Sequence, residues 1–141
     1  FVTEIINSAL TVNDIKRYIM QLLEQHLEEI NNLDNKGRII FEAERYIIDH
    51  LDQELSIKKI AEQVFITPTY LCYLYKKNTG RTINQFILDV RMKKAKMMII
   101  DTNLRIRDIA QKLGYSNQNY FTKTFTDYYG VNPSTFRNKS L

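Results

Sequence analysis

The 141-residue sequence predicts an all-α protein, and three observations carry the prediction. Apolar residues recur at three- and four-residue spacing along most of the chain, and nowhere do apolar and polar residues alternate as in a half-buried strand. Four Gly and two Pro are too few for turn-rich sandwiches or barrels. A block of short and long helical segments occurs twice, about 50 residues apart.

The elements follow in order. Thr11 or Asn13 can cap a helix over 13–31, with Ile15, Ile19, Leu22, Leu23, Leu27 and Ile30 on one stripe. The polar run Asn31-Asn32-Leu33-Asp34-Asn35-Lys36-Gly37 predicts a break and a linker. A helix over 38–51 carries Ile39, Ile40, Ala43, Ile47 and Leu51 at helical spacing, and Ser56 caps a short helix over 57–64. Thr67-Pro68 starts the next, because proline lacks only an N–H that the first turn leaves unpaired. That helix stops near Asn78, before Gly80. A long helix over 83–100 ends at Asp101-Thr102-Asn103, short helices follow over 106–113 and 117–128, and Pro133 opens a last turn through Arg137.

Composition narrows the function. With 44% hydrophobic and 26% charged residues the chain can bury a core. A lone cysteine, Cys72, allows neither an intrachain disulfide nor a multi-cysteine zinc site. His26 and His50 are too far apart for a histidine metal cluster and are expected near helix surfaces, so no metal or cofactor is expected. Cys72 reads as a small side chain on a helix rather than a redox sensor. No run approaches the ~20 apolar residues of a membrane span, and no signal peptide is visible. The expectation is a soluble, cytoplasmic piece of a longer protein, since the chain opens on Phe1. Catalytic signatures are missing: no glycine-rich phosphate loop, no Gly-x-Ser-x-Gly, no paired histidines beside carboxylates. An enzyme is not expected.

Charge is unevenly spread. Residues 1–55 hold five Lys/Arg against eleven Asp/Glu, a net −6, whereas residues 56–141 hold fifteen against five, a net +10. A basic half joined to an acidic one points to a polyanion-binding region behind a connecting segment.

The repeat gives that region a form. Ile57-x-x-Ile60-Ala61-x-x-Val64 returns as Ile106-x-x-Ile109-Ala110-x-x-Leu113. One inserted residue later, Tyr70-Leu71 matches Tyr120-Phe121, Tyr75 matches Phe125, and Gly80 matches Gly130. A short apolar helix, a tight turn and a longer helix make a helix-turn-helix, with a small Ala where the helices cross. Gly114 falls where the second turn needs a left-handed backbone. Phe65 takes that place in the first copy, at a cost of about 1–2 kcal/mol, so the first turn is expected to be wider or differently shaped.

These residues resemble the AraC/XylS family of bacterial transcription regulators. The resemblance spans about residues 38–141. Its most specific run is Ile109-Ala110, Gly114-Tyr115-Ser116, Tyr120-Phe121, Phe125, Gly130-Val131-Asn132-Pro133 and Phe136-Arg137, and Arg91-Met92-Lys93-Lys94-Ala95 looks like the family's Arg-x-x-x-Ala pattern. The resemblance implies a DNA-binding domain over 38–141, with helix-turn-helix motifs over about 56–79 and 105–128 bridged by the helix at 83–100. Residues 1–37 would connect it to a sensor or response-regulator receiver domain. Two departures stand out: Arg105 replaces the small hydroxyl residue usual before its helix, and Thr126 stands where the family often carries Lys.

The resemblance further implies that the second helix of each motif enters a major groove. From Pro68 the outward positions are Thr69, Cys72, Tyr73 and Lys76; in the second motif they are Asn117, Gln118, Asn119, Thr122 and Lys123. Tyr70, Leu71, Leu74, Tyr120, Phe121 and Phe125 take the opposite face and are expected in the core. Gln118 and Asn119 suit adenine, Lys123 suits guanine O6 or N7, and Thr69 and Tyr73 suit thymine methyls. Lys76, Arg105 and the start of the 57–64 helix at Ser56 are the expected phosphate contacts. An 18-residue bridge is roughly 27 Å long, of the order of the ~34 Å between successive major grooves.

The expected partners are double-stranded DNA, RNA polymerase, and the upstream sensor or receiver domain. The stripe over 13–31 either packs on the DNA-binding unit or pairs with a second subunit in a homodimer. The competing function is a helical protein-interaction module that has lost DNA recognition. The basic half and the neighbouring Gln118, Asn119 and Lys123 weigh against it.

Overall fold

The computed structural model describes residues 11–140. Among these are seven helices and no strand: α1 (Val12–Asp49), α2 (Ile57–Gln63), α3 (Pro68–Thr79), α4 (Ile83–Asp101), α5 (Ile106–Lys112), α6 (Gln118–Tyr129) and α7 (Pro133–Ser140). The all-α expectation holds, and the five helices from Ile57 to Tyr129 lie within a residue or two of their expected ends.

The N-terminal reading needs correction. The expected linker at 31–37 is helical, and α1 runs unbroken for 38 residues. No proline interrupts the run, and each Asn or Asp costs a helix only a few tenths of a kcal/mol, Gly about 1. Arg38 Nη2 donates to Asn35 Oδ1 at 2.9 Å, one turn back. The last turn also exceeds expectation, since Pro133 opens an eight-residue helix.

The chain forms two compact units that divide at Ile39 and Ile40. In the N-terminal unit, Ile15, Ile19, Leu22, Leu23, Leu27 and Ile30 of α1 are all exposed.

In the unit from Ile40 onward each motif has its own core. Ala43 and Ile47 of α1 and Leu51 just after it are buried, as are Ile60, Ala61, Leu71, Leu74 and Tyr75 of the first motif and Ile83, Phe86 and Ile87 of α4. The Tyr75 hydroxyl donates to Glu44 Oε1 at 2.7 Å, which gives the buried ring's polar tip a partner. The second core joins Met92, Ala95 and Ile99 of α4 to Ile109, Ala110, Leu113, Tyr115, Phe121 and Phe125, with Tyr129 and Phe136 packed against it. One helix therefore contributes one end to each core, which makes α4 a structural bridge.

Candidate nucleic-acid interface

Both motifs turn in the same way. In the first, Val64, Phe65 and Ile66 donate their backbone N–H groups to Ala61, Glu62 and Ala61; in the second, Leu113, Gly114 and Tyr115 donate to Ala110, Gln111 and Ala110. Phe65 has φ 58° and Gly114 φ 79°. The expected wider first turn is thus not found. The matched core positions Ile60-Ala61 and Ile109-Ala110 and the matched turn hydrogen bonds go with one geometry, and Phe65 accepts the left-handed strain with its ring 92% exposed. Gly114 has a second reason to be glycine, because a Cβ there would lie 2.6 Å from Arg91 Nη2 and 2.7 Å from the Leu51 carbonyl oxygen.

Caps set where each recognition helix begins. Thr67 Oγ1 accepts from the Tyr70 N–H at 3.3 Å and Pro68 occupies the first turn of α3. Asn117 Oδ1 accepts from the Asn119 and Tyr120 N–H groups at 2.8 and 3.3 Å, so this side chain caps the start of α6. Ser56 Oγ is likewise a cap, accepting from Lys59 N–H at 3.2 Å. Arg105 is the N-cap of α5 and makes no side-chain capping bond. Its side chain is exposed, which keeps the expected trade of a cap for a charge.

The outward faces match the expected positions with two corrections. Thr69, Cys72, Tyr73 and Lys76 are exposed on α3; Gln118, Asn119 and Lys123 are exposed on α6, with Thr122 half-buried beside them. Tyr70 and Tyr120, expected in the core, are 40% and 63% exposed. Each stands one residue before the buried Leu71 or Phe121, about 100° round the helix, and so leaves the narrow buried stripe. The 50-residue offset between these tyrosines marks them as equivalent positions, whereas their apolar character alone points to the core. Among the described residues, Lys76, Lys123 and Arg105 are in no ion pair.

The faces are held relative to one another through α4. Asp89 receives Arg81 Nη1 at 2.8 Å on one carboxylate oxygen and the Tyr128 hydroxyl at 2.8 Å on the other. Arg81 follows α3, and Tyr128 closes α6. The Asp89 hydrogen bond holds the Tyr128 proton and pushes its pKa up to about 12. Two residues on, Arg91 Nη2 donates to the Gln53 carbonyl at 2.9 Å, and its guanidinium lies 5.4 Å from the Tyr115 ring centroid. Burial lowers the Arg91 pKa. The sequence alone reveals none of these ties, although Arg91 stands in the Arg-x-x-x-Ala pattern.

Cys72 is a free, exposed thiol. His26 and His50 direct Nδ1 at the carbonyls of Leu22 and Tyr46 one turn earlier, at 2.9 and 2.7 Å. No group of three metal-ligating side chains exists among the described residues, and no helix among them is long and apolar enough to cross a membrane.

Two helix-turn-helix units sharing one bridging helix define a double-motif domain. Residues 43–139 match the helix-turn-helix domain family. Over 123 residues the chain is 32% identical to the arabinose operon regulatory protein of Escherichia coli K12, covering 83% of this chain and 41% of that protein. It is 29% identical over 136 residues to the Msm operon regulatory protein of Streptococcus mutans, covering 94% of this chain and 48% of the relative. The solved C-terminal domain of AraT, a response regulator from Geobacillus stearothermophilus, matches with TM-score 0.69 and 32% identity, over 72% of this chain and 84% of that one. The chain belongs to the AraC/XylS family of helix-turn-helix transcription regulators. It spans less than half the length of these two curated relatives.

Proposed function

We propose that this chain reads double-stranded DNA by placing α3 and α6 in successive major grooves, as the DNA-binding part of a bacterial transcription regulator. The carrying observation is the doubled geometry: two motifs with the same turn, each presenting an outward helix face with a lysine, Lys76 or Lys123, that forms no ion pair among the described residues. At 19 residues α4 is roughly 28 Å long, close to one turn of the double helix.

Thr69, Cys72, Tyr73, Gln118, Asn119, Thr122 and Lys123 are the base-facing set. Asn117 contributes through the end of α6 that it caps, its amide NH₂ remaining open to the groove. Lys76 and Arg105 hold phosphates, and Ser56 orients the start of α2 toward the same backbone. DNA-bound regulation of this kind places the protein in the cytoplasm at the nucleoid, in contact with RNA polymerase and under control of a sensor or receiver domain in the full-length protein. The exposed apolar stripe of α1 supports pairing through 13–31 with a second copy.

The test is selection of bound duplexes from a random library, followed by anisotropy of the winner across salt concentrations. A motif with two half-elements about one helical turn apart supports the reading. Replacing Gln118 and Asn119 with Ala then relaxes one element, and Lys76→Ala lowers the salt slope by about one. Recovery of no preferred sequence refutes it. Sedimentation of the chain with and without Leu23→Lys tests the pairing.

A further inference from the structure

We infer that the two motifs read their half-elements by different chemistry: the α3 face reads thymine C5-methyl groups, whereas the α6 face reads hydrogen-bonding base edges. The inference rests on the DNA-binding reading above and specifies what each half of the operator must contain.

The α3 face offers Thr69, Tyr70, Cys72, Tyr73 and Lys76, all exposed. None carries the carboxamide or guanidinium fork that grips adenine or guanine in a bidentate manner. The nearest carboxamide, Asn78, is turned back, with Nδ2 donating to the Leu74 carbonyl at 2.8 Å. The Tyr70 and Tyr73 rings lie 6.5 Å apart and within 28° of parallel. Lys77 Nζ donates to the Tyr73 hydroxyl at 3.1 Å and lies 5.5 Å from that ring's centroid. The Tyr73 oxygen thus accepts from Lys77, and the ring remains 57% exposed.

An exposed aromatic and methyl-bearing surface has one apolar group to meet on base edges in the major groove, the thymine methyl. The α6 face keeps an exposed ring, Tyr120, but adds hydrogen-bonding forks. Gln118 and Asn119 are exposed carboxamides whose side chains have no hydrogen-bond partner among the described residues, and Lys123 is in no ion pair there. The exposed carboxamides of α6 thus have no counterpart on α3, although the two backbones turn alike.

The experiment uses the whole chain and the duplex selected above. Uracil replaces thymine one position at a time, which removes a methyl and leaves pairing intact. In the half-element that Tyr73→Ala relaxes, at least one thymine is expected to lose roughly two- to fourfold in affinity on conversion to uracil. Thymines in the other half-element change by less. The penalty disappears in Tyr73→Ala and persists in Tyr73→Phe, which keeps the ring and loses the hydroxyl. Thermal melts of both variants confirm that the fold is kept. A flat uracil scan in the first half-element, or a penalty unchanged in Tyr73→Ala, overturns this inference while leaving DNA reading intact. Failure to enrich any sequence overturns both.

Discussion

Arg91 occupies the space that any side chain at Gly114 would need: a Cβ there would fall 2.6 Å from its Nη2. The guanidinium cannot simply withdraw, because it also donates to the Gln53 carbonyl at 2.9 Å and spans the Tyr115 ring. Gly114→Ala is therefore expected to combine overpacking with left-handed strain, a loss of about 3 kcal/mol. Urea denaturation followed by circular dichroism measures it. A loss below about 1 kcal/mol would show that Arg91 yields freely.

Phe65 presents the opposite case. It holds φ 58° with the ring exposed, so its side chain gains little that offsets the strain. Phe65→Gly is expected to leave the fold intact and to stabilise it by up to about 1 kcal/mol, the remainder of the relief being lost to glycine's freedom in the unfolded chain. A clear drop in melting temperature would mean that the ring makes a contact worth more than the strain.

Stability should fall in alkali for an identifiable reason. Tyr128 is pushed up to about 12 by its hydrogen bond to Asp89, and burial raises Tyr75, Tyr115 and Tyr129 as well. A phenol whose folded pKa is raised contributes stability below its unfolded pKa of about 10 and loses it as pH climbs through the folded value. The advantage of the unmodified chain over Tyr128→Phe should thus shrink as pH rises from 10 toward 12. Urea midpoints of the two proteins at pH 9, 10 and 11 test this, and a constant gap would exclude it.

Gly37 lies in the middle of α1 with nothing within 4 Å of where a Cβ would stand. Gly37→Ala should raise helicity and add up to about 1 kcal/mol to the stability of that segment. In a flexible linker the same substitution would leave the far-ultraviolet signal unchanged, so circular dichroism distinguishes the two.

The motifs were legible in the sequence because their signals are local and doubled: Thr67-Pro68, the paired Ile-Ala steps and Gly114 each dictate a short stretch of backbone. The 31–37 segment misled because weak helix formers were counted as breakers, although no proline was present to enforce a break. Tyr70 and Tyr120 misled because tyrosine is apolar by composition and amphipathic in practice. The polar ties were hidden for another reason. Asp89 meets Tyr128 across 39 positions and Arg91 meets Gln53 across 38, and a single sequence carries no record of such pairings.

Those ties have a consequence for how this domain can be rearranged. Asp89 and Arg91 belong to the bridge rather than to either copy, yet they join Arg81 to Tyr128 and Gln53 to the Gly114–Tyr115 turn. The copies are therefore not interchangeable cassettes. A chimaera that imports a foreign second motif inherits a compatible joint only when a hydroxyl or other donor arrives at position 128 and a glycine at 114. Grafting the reading face alone, without its helix ends, leaves that joint undisturbed and is the safer route to a new operator.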